Sequence, residues 1–250
     1  MTHTRPAIHE LLEQGGLAPR RALGQNFVAD PNTVRRIAAL AGVASGDRVV
    51  EVGAGLGSLT IALADTGADV LAIEVDRGIV PILRSVVADR TNVTVVECDA
   101  MQADWGALLA GAERWTLVAN LPYNVATPLV CDLLDEVPAI TSMLVMVQRE
   151  VAERFAAEPG SKHYGAVSVK AAFWGTARLV GTVPASVFVP RPNVESALVR
   201  IDRHPAPDVD PDALFALVRQ AFGQRRKMLR RSLAGTVSPE QFAVAGISPE

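Results

Sequence analysis

The chain has 250 residues, 49% of them hydrophobic and 20% charged, and a formal net charge of −3. This composition suits a globular protein with one large core, and no apolar run approaches the ~20 residues that a membrane-spanning helix needs. Charged residues such as Arg5 and Glu10 interrupt the N-terminal apolar stretches, so we expect no signal peptide and a cytoplasmic protein. Cys98 and Cys131 lie far apart in apolar settings, and the histidines lack ligand spacing, so neither a disulfide nor a protein-bound metal is predicted.

Short β-branched runs alternate with helix-length segments over most of the chain. The runs predict five buried strands, at 48–52, 70–74, 93–97, 117–119 and 143–147, with helices near 57–66, 78–87, 128–136 and 148–157. Such alternation indicates a parallel sheet with helices on both faces. Two later runs, 178–183 and 197–202, have no helix pattern between them, so we expect them to pair antiparallel at one edge. Seven strands in this arrangement predict an α/β fold of the Rossmann-like class I methyltransferase type, with a mostly parallel sheet.

A capping side chain stands before proline at four predicted helix starts: Asp30-Pro31, Thr127-Pro128, Asp210-Pro211 and Ser238-Pro239. The cap oxygen can accept an unpaired backbone N–H, and proline suits the first helical position. Ser248-Pro249 has the same form and predicts a further helix after residue 250.

A proline-rich segment, 204–208, follows the last predicted strand and predicts a linker. Only helical patterns come after it, at 211–222, 225–234 and 239–244. We therefore predict a methyltransferase domain over residues 1–204 and a small all-α domain over residues 205–250, which the expected further helix would extend.

The first predicted strand runs into the loop Gly53-Ala54-Gly55-Leu56-Gly57, with Glu51 two residues ahead of it. Glycines allow a sharp turn and the close approach of a ligand to the backbone. A dinucleotide-binding loop has its third glycine five positions after the first, but here the interval is four. The spacing favours a ligand without phosphates, S-adenosylmethionine, over a dinucleotide or a purely structural turn.

Two carboxylates come at the ends of neighbouring predicted strands. Glu74 can accept hydrogen bonds from both ribose hydroxyls of the cofactor, and Asp99 can accept one from its adenine amine. Each could instead be an ordinary capping or turn-forming acid. Ligands of open α/β sheets bind outside the carboxyl ends of the strands, where Gly53, Glu74 and Asp99 are expected to converge.

The string Asn120-Leu121-Pro122-Tyr123 follows the fourth predicted strand. The N6 lone pair of adenine is delocalised into the ring, so this amine is a poor nucleophile. The side-chain oxygen of Asn120 and the carbonyl of Leu121 can hold its two hydrogens, while Pro122 stiffens the turn. Tyr123 can stack on the target base, or it could be a core aromatic. The string predicts methyl transfer to an adenine N6.

Six basic residues and no acidic ones lie between positions 219 and 231 of this net-acidic chain. The predicted RNA-binding residues among them are Arg225, Arg226, Lys227, Arg230 and Arg231. A run of charge can also be a solvated helix face, but concentration of positive charge in one segment favours phosphate binding.

Together these motifs make the chain resemble the bacterial small-subunit ribosomal RNA adenine dimethyltransferases, over residues 19–247. Further shared strings are 23–27, 164–169, 188–197 and 222–227. The resemblance implies that two adjacent adenosines near the 3′ end of 16S rRNA, in the small subunit or its precursor, become N6,N6-dimethyladenosine.

The resemblance also implies roles for single residues. The cofactor contacts would be Asn26, the backbone of Val28, Gly53, Gly55, Glu74, Asp99 and Asn120. Phe188 would sandwich the target adenine opposite Tyr123, although from sequence alone Phe188 could equally plug a sheet edge. Ala54 departs from the family, which commonly has proline there.

The motifs are compatible with three other functions. A 23S rRNA adenine methylase of the erythromycin-resistance type shares the Gln-Asn-Phe and Asn-x-Pro-Tyr motifs, but the strings 164–169 and 222–227 favour the 16S enzyme. A non-catalytic ribosome-assembly factor is disfavoured because Asn120, Tyr123, Glu74 and Asp99 are intact. A DNA adenine methyltransferase is disfavoured because the motif that corresponds to Asn120–Tyr123 usually begins with Asp in those enzymes. No association stripe is evident, so we expect a monomer.

Overall fold

The structure, a computed structural model, describes residues 2–20, 23–224 and 227–250. The strands are β1 (Phe27–Val28), β2 (Arg48–Val52), β3 (Asp69–Glu74), β4 (Val93–Glu97), β5 (Trp115–Asn120), β6 (Ile140–Gln148), β7 (Gly175–Val183), β8 (Phe188–Val189) and β9 (Ser196–Arg203). The helices are α1 (Arg5–Gln14), α2 (Pro31–Ala41), α3 (Ser58–Ala64), α4 (Ile79–Val86), α5 (Trp105–Leu108), α6 (Ala126–Glu136), α7 (Arg149–Phe155), α8 (Ala166–Trp174), α9 (Pro211–Gly223), α10 (Leu229–Ser232) and α11 (Pro239–Ala245).

Seven strands form one sheet in the order β4-β3-β2-β5-β6-β9-β7. The strands from β4 to β6 pair in parallel, and β9 pairs antiparallel with both β6 and β7. This order confirms the predicted class I methyltransferase fold and the antiparallel pairing of the two late strands. Strand β9 lies between β6 and β7, so β7 forms the edge. A separate two-stranded ladder joins β1 to β8.

Alternate residues of the central strands pack on opposite faces of the sheet, as the pleat requires. One core cluster includes Val50 and Leu117, and the other includes their neighbours Val49 and Val118. All four side chains are fully buried. The uninterrupted apolar character of these strands therefore follows from burial on both faces, and it holds the carboxyl ends of the strands at a common edge.

Three of the four predicted helix caps are present. The side chains of Asp30, Asp210 and Ser238 accept backbone N–H groups at the starts of α2, α9 and α11. The prediction for Thr127 is wrong, because α6 begins earlier, at Ala126, and has no side-chain cap. Pro128 falls within the first turn, where helical N–H groups have no partner in the helix, so proline removes no bond there.

Helix α8 was not predicted, because its sequence is rich in β-branched and aromatic residues. The hydroxyl of Ser168, itself buried, donates to the carbonyl of Arg154 at 2.6 Å and fixes the start of α8 against α7. The predicted helix over 225–234 is shorter than expected, since α10 spans only Leu229–Ser232. Arg225 and Arg226 lie outside the described residues.

Helix α9 packs on α8 through aromatic contacts. The ring centroids of Phe215 and Phe173 lie 5.2 Å apart, and the amine of Lys170 lies 5.0 Å from the Phe215 ring centre. The predicted division into domains at residues 204 and 205 stays a prediction. Within the described ranges, no helix is long and apolar enough to cross a membrane, and no cluster of potential metal ligands is found.

Candidate active site

A pocket opens at the carboxyl ends of β2, β3 and β5. It brings together most of the predicted site residues: Asn26, Val28, Gly53, Gly55, Glu74, Asn120, Leu121, Pro122, Tyr123 and Phe188. These residues come from segments far apart in sequence, and the parallel sheet is what assembles them.

The glycine loop forms the floor of the pocket in a conformation that side chains rarely adopt. Gly53, Gly55 and Gly57 have φ values of +75°, +55° and +85°. A Cβ at Gly55 would lie 3.2 Å from the ring of Phe27. The backbone N–H groups of Gly53 and Ala54 both donate to the carbonyl of Ile73, at 2.9 and 3.1 Å. Alanine at position 54 thus ties the loop to β3 through an N–H that proline lacks.

Glu74 lies at the end of β3 and is held by backbone donors. Its Oε2 accepts from the N–H of Gly55 at 2.8 Å, and its Oε1 accepts from Val75 and Asp76 at 3.0 and 2.9 Å. Burial raises the pKa of this carboxyl, while the backbone N–H groups oppose that rise. The donors orient the group, and Oε2, which accepts only one of the three bonds, has a second lone pair for a ligand hydroxyl.

Glu51 is a second buried acid that lines the pocket. The hydroxyl of Thr60 donates to its Oε2 at 2.6 Å. Burial raises the pKa of Glu51 to about 8, against the opposing effect of the Thr60 hydrogen bond. A nearby cation would stabilise the ionised form, so the pocket is suited to a positively charged ligand.

Asn120 ends β5 at the back of the pocket. Its side-chain nitrogen donates to the backbone carbonyl of Asn26 at 3.0 Å. In the described residues this side chain bonds through its nitrogen, which leaves the amide oxygen to accept from a ligand. The side chain of Asn26 in turn donates to the carbonyl of Gly24 at 2.9 Å and holds the N-terminal segment in place.

Tyr123 and Phe188 line the same pocket, on different elements. The Tyr123 hydroxyl lies 3.0 Å from the hydroxyl oxygen of Ser196. Phe188 belongs to β8, opposite Val28 of β1, and its side chain is only 1% exposed. The structure brings the two rings to one site, and it places Phe188 in the core at the same time.

Asp99 is not among the pocket-lining residues. It is exposed just beyond β4, and its Oδ1 accepts from the N–H of Met101 at 2.9 Å, as a turn-forming Asp does.

Two apolar side chains just after the carboxyl ends of β3 and β4 are exposed: Val75 is 46% and Met101 is 40% accessible. Neither was singled out in the sequence, because a lone apolar residue after a strand has no distinctive pattern.

The N-terminal segment also contributes to the pocket, which sequence reasoning missed. The imidazole Nε2 of His3 lies 2.8 Å from the carbonyl of Leu56, and the backbone N–H of His3 donates to Ser58 Oγ at 3.0 Å. Arg5 donates to the carbonyl of Ser186 at 2.9 Å. Residues 3–5 thus connect the glycine loop to the segment before β8. These contacts span more than fifty positions of sequence, so no local signal predicts them.

The five predicted RNA-binding residues are called the basic cluster below. The structure describes three of them, Lys227, Arg230 and Arg231, and their side chains are exposed in or next to α10. Among the described residues, none of the three lies within salt-bridge distance of a carboxylate. Their charge is therefore available to an external anion.

The sheet order, the left-handed glycine loop and the polar groups at the strand ends define a class I methyltransferase. The family model for ribosomal RNA adenine dimethylase matches residues 16–248. The ribosomal RNA small subunit methyltransferase A of Rhodococcus opacus is 50% identical, over 97% of this chain and 86% of its own length. The same-named protein of Bifidobacterium longum is 45% identical, over 97% of this chain and 85% of its own length. The chain belongs to the ribosomal RNA adenine dimethylase family.

Solved structures agree on the fold. The 23S rRNA methyltransferase ErmE superposes with a TM-score of 0.71 at 26% identity, covering 89% of this chain and 91% of that one. A dimethyladenosine transferase from Plasmodium falciparum has the same TM-score at 24% identity, covering 86% and 76%. The comparisons confirm the predicted family, its fold and its dependence on S-adenosylmethionine.

The residues present fit this cofactor. Left-handed glycines expose backbone on the pocket floor, and buried carboxylates at Glu51 and Glu74 suit a cation that carries hydroxyl groups. The described lining contains no lysine or arginine that would bind a diphosphate.

Proposed function

We propose that this chain transfers methyl groups from S-adenosylmethionine to N6 of two adjacent adenosines near the 3′ end of 16S rRNA, during small-subunit assembly. The observation that carries the proposal is the Asn120 amide, whose nitrogen is bound to Asn26 and whose oxygen is left to accept in the pocket. The names of the relatives, which are small-subunit methyltransferases at 45–50% identity, support the choice of rRNA.

The cofactor would lie along the glycine loop. The backbone at Gly53 and Gly55 would lie close to the cofactor. Glu74 would accept from its ribose hydroxyls, and Glu51 would face its positive charge. Asn26 and the backbone of Val28 close the pocket from the N-terminal side. Asp99, outside the pocket lining, would accept from the adenine amine of the cofactor with the oxygen that Met101 does not use. The cofactor, when bound, supplies an electrophilic methyl group on a sulfonium.

The amine of the target adenine is positioned by two acceptors. The Asn120 side-chain oxygen and the Leu121 carbonyl hold its two hydrogens, which favours a pyramidal nitrogen whose lone pair faces the methyl group. Pro122 restricts the backbone next to Leu121 and so holds the Leu121 carbonyl in place. The proton leaves to water once the nitrogen has become cationic, so no side chain needs to act as a base. Positioning and preorganised hydrogen bonds supply the catalysis.

The target base must leave its stack to reach this site. Tyr123 would stack on one face of the base, a contact worth about 1–3 kcal/mol. Phe188 would cover the other face, and because its ring is buried, the contact requires that neighbouring side chains move as the base enters.

The basic cluster would hold the rRNA backbone. Lys227, Arg230 and Arg231 are exposed, and Arg225 and Arg226 precede them in sequence. Residues 205–250 would act as the rRNA-contacting part of a monomeric, cytoplasmic enzyme, with residues 1–204 as the methyltransferase domain. Choice of site would come from the shape of the particle, since phosphate contacts carry no sequence information.

The second candidate is a 23S rRNA methylase, favoured by the superposition on ErmE. The test is methyl transfer from labelled S-adenosylmethionine to small subunits that lack the modification, with large subunits as the matched control. We expect label in small subunits alone. Label confined to large subunits would contradict the proposal and support the 23S rRNA methylase instead. No label in either, with cofactor bound, would favour an assembly factor without turnover.

A further inference from the structure

Ser196 occupies a rigid position beside the pocket. It is the first residue of β9, and it stands opposite Gln148 of β6 and Val183 of β7 in the sheet. The carbonyl of the preceding Glu195 accepts from the N–H of Arg149 at 3.1 Å. The Ser196 side chain is buried, with 1% of its surface exposed, so its hydroxyl is a fixed point at the carboxyl edge of the sheet.

Tyr123 lies outside the strands and helices, so its own segment constrains it less than β9 constrains Ser196. It lies between the end of β5 at Asn120 and the start of α6 at Ala126. The backbone there is a turn in which the Pro122 carbonyl accepts from Val125 and Ala126, at 3.2 and 3.1 Å. The bond between the Tyr123 hydroxyl and Ser196 Oγ, 3.0 Å long, ties the far end of the ring to the sheet.

We propose that Ser196 is a positioning residue, which holds the Tyr123 ring as a preformed platform for the target adenine. The inference rests on the proposed function, in which Tyr123 stacks on that base. A ring fixed at its hydroxyl loses no further rotamer freedom when the base arrives, whereas a free ring must be ordered by the base itself. Ser196 is buried and acts only through Tyr123.

The test is a double-mutant cycle on methylation of unmodified small subunits. Ser196→Ala and Tyr123→Phe each remove the same hydrogen bond, from opposite ends. A bond of this kind contributes about 1 kcal/mol, so each variant should lower kcat by roughly 5-fold. The double variant should be no slower than either single one, because each single change already removes the shared bond. Cofactor affinity should not change.

Two further variants separate positioning from a general structural effect. Ser142→Ala removes a hydrogen bond of 2.9 Å to Asp202 at the other end of the β6–β9 pair, and it should keep the wild-type kcat. Ser196→Thr keeps the hydroxyl and should restore kcat. If threonine does not fit the buried site and lowers Tm, Tyr123→Phe still tests the bond without altering β9.

The outcomes distinguish this inference from the function on which it rests. If Tyr123→Ala loses activity while Ser196→Ala and Tyr123→Phe keep wild-type kcat, the stacking role of Tyr123 is retained but Ser196 does not position its ring. Multiplicative effects in the double variant also overturn the inference. If Tyr123→Ala keeps wild-type activity, the stacking role in the proposed function is the part that fails.

Discussion

The side-chain nitrogen of Asn120 donates to the backbone carbonyl of Asn26 at 3.0 Å, across 94 positions of sequence. This bond joins the end of β5 to the segment before β1. It also fixes which end of the amide faces the pocket. One amide group therefore ties the N-terminal segment to the end of β5 and leaves its oxygen to accept in the pocket, where we propose that the substrate amine donates to it.

Replacing Asn120 should separate these two roles. Asn120→Ala removes the acceptor oxygen together with the bond to Asn26 and should lower kcat by on the order of 100-fold, as loss of one preorganised polar group does elsewhere. Asn120→Asp keeps acceptor oxygens and should retain more turnover than alanine. Single-turnover methylation measures the effect, with cofactor affinity by calorimetry as the control. Wild-type turnover in Asn120→Ala would reject the role in holding the amine.

Glu51 should make the stability of the cofactor-free protein depend on pH. Its folded pKa, about 8, exceeds the ordinary value of 4.5. The unfolded chain therefore releases this proton at lower pH, so the contribution to stability is complete below pH 4.5 and is lost as pH rises toward 8. Glu51→Gln should flatten the fall in Tm between about pH 5.5 and 8. The exposed Glu113→Gln controls for net charge, and parallel Tm curves for Glu51→Gln and wild type would refute the expectation.

Gly55 should be required for cofactor binding as well as for the turn. Gly55→Ala and Gly111→Ala both place a side chain at positive φ, +55° and +89°, which costs about 1–2 kcal/mol. Only at Gly55 does the new Cβ meet a neighbour, the Phe27 ring. Both variants should lower Tm, but Gly55→Ala alone should weaken cofactor binding, by about 10-fold. Equal affinities in the two variants would exclude a close approach at Gly55.

Charge reversal in the basic cluster should weaken RNA binding in a salt-dependent way. The triple variant Arg225→Glu, Arg226→Glu and Lys227→Glu should reduce the slope of log K against log salt by roughly 0.7–0.9 for each phosphate that the protein no longer neutralises. Arg114→Glu, at an exposed position just before the amino end of β5, is the control. A slope unchanged by the triple variant would mean that the cluster is a solvated surface.

The sequence predicted the parts of the site that follow from the sheet. Gly53, Glu74 and Asn120 end neighbouring strands, and parallel strands carry their carboxyl ends to one edge, so their convergence followed from strand order alone. Asp99 lies two residues beyond the next strand, in a turn where it accepts from Met101, and it is not among the pocket-lining residues.

The remaining parts depend on tertiary contacts that leave no local pattern. His3 lines the pocket, and Arg5 and Ser196 form hydrogen bonds to two residues that line it, Phe188 and Tyr123. Helix α8 was not predicted because its sequence is rich in β-branched and aromatic residues and has almost no amphipathic period. At Thr127-Pro128 the cap pattern was present, but the turn at Pro122 already leads into α6.

The most direct test of the central claim is the identity and place of the product. Small subunits methylated by wild-type protein should be digested and their rRNA fragments analysed by mass spectrometry, with Asn120→Ala as the control. The account predicts two adjacent N6,N6-dimethyladenosines near the 3′ end of 16S rRNA, absent with the variant. Methyl groups on another atom, on another base or at scattered adenosines would contradict it.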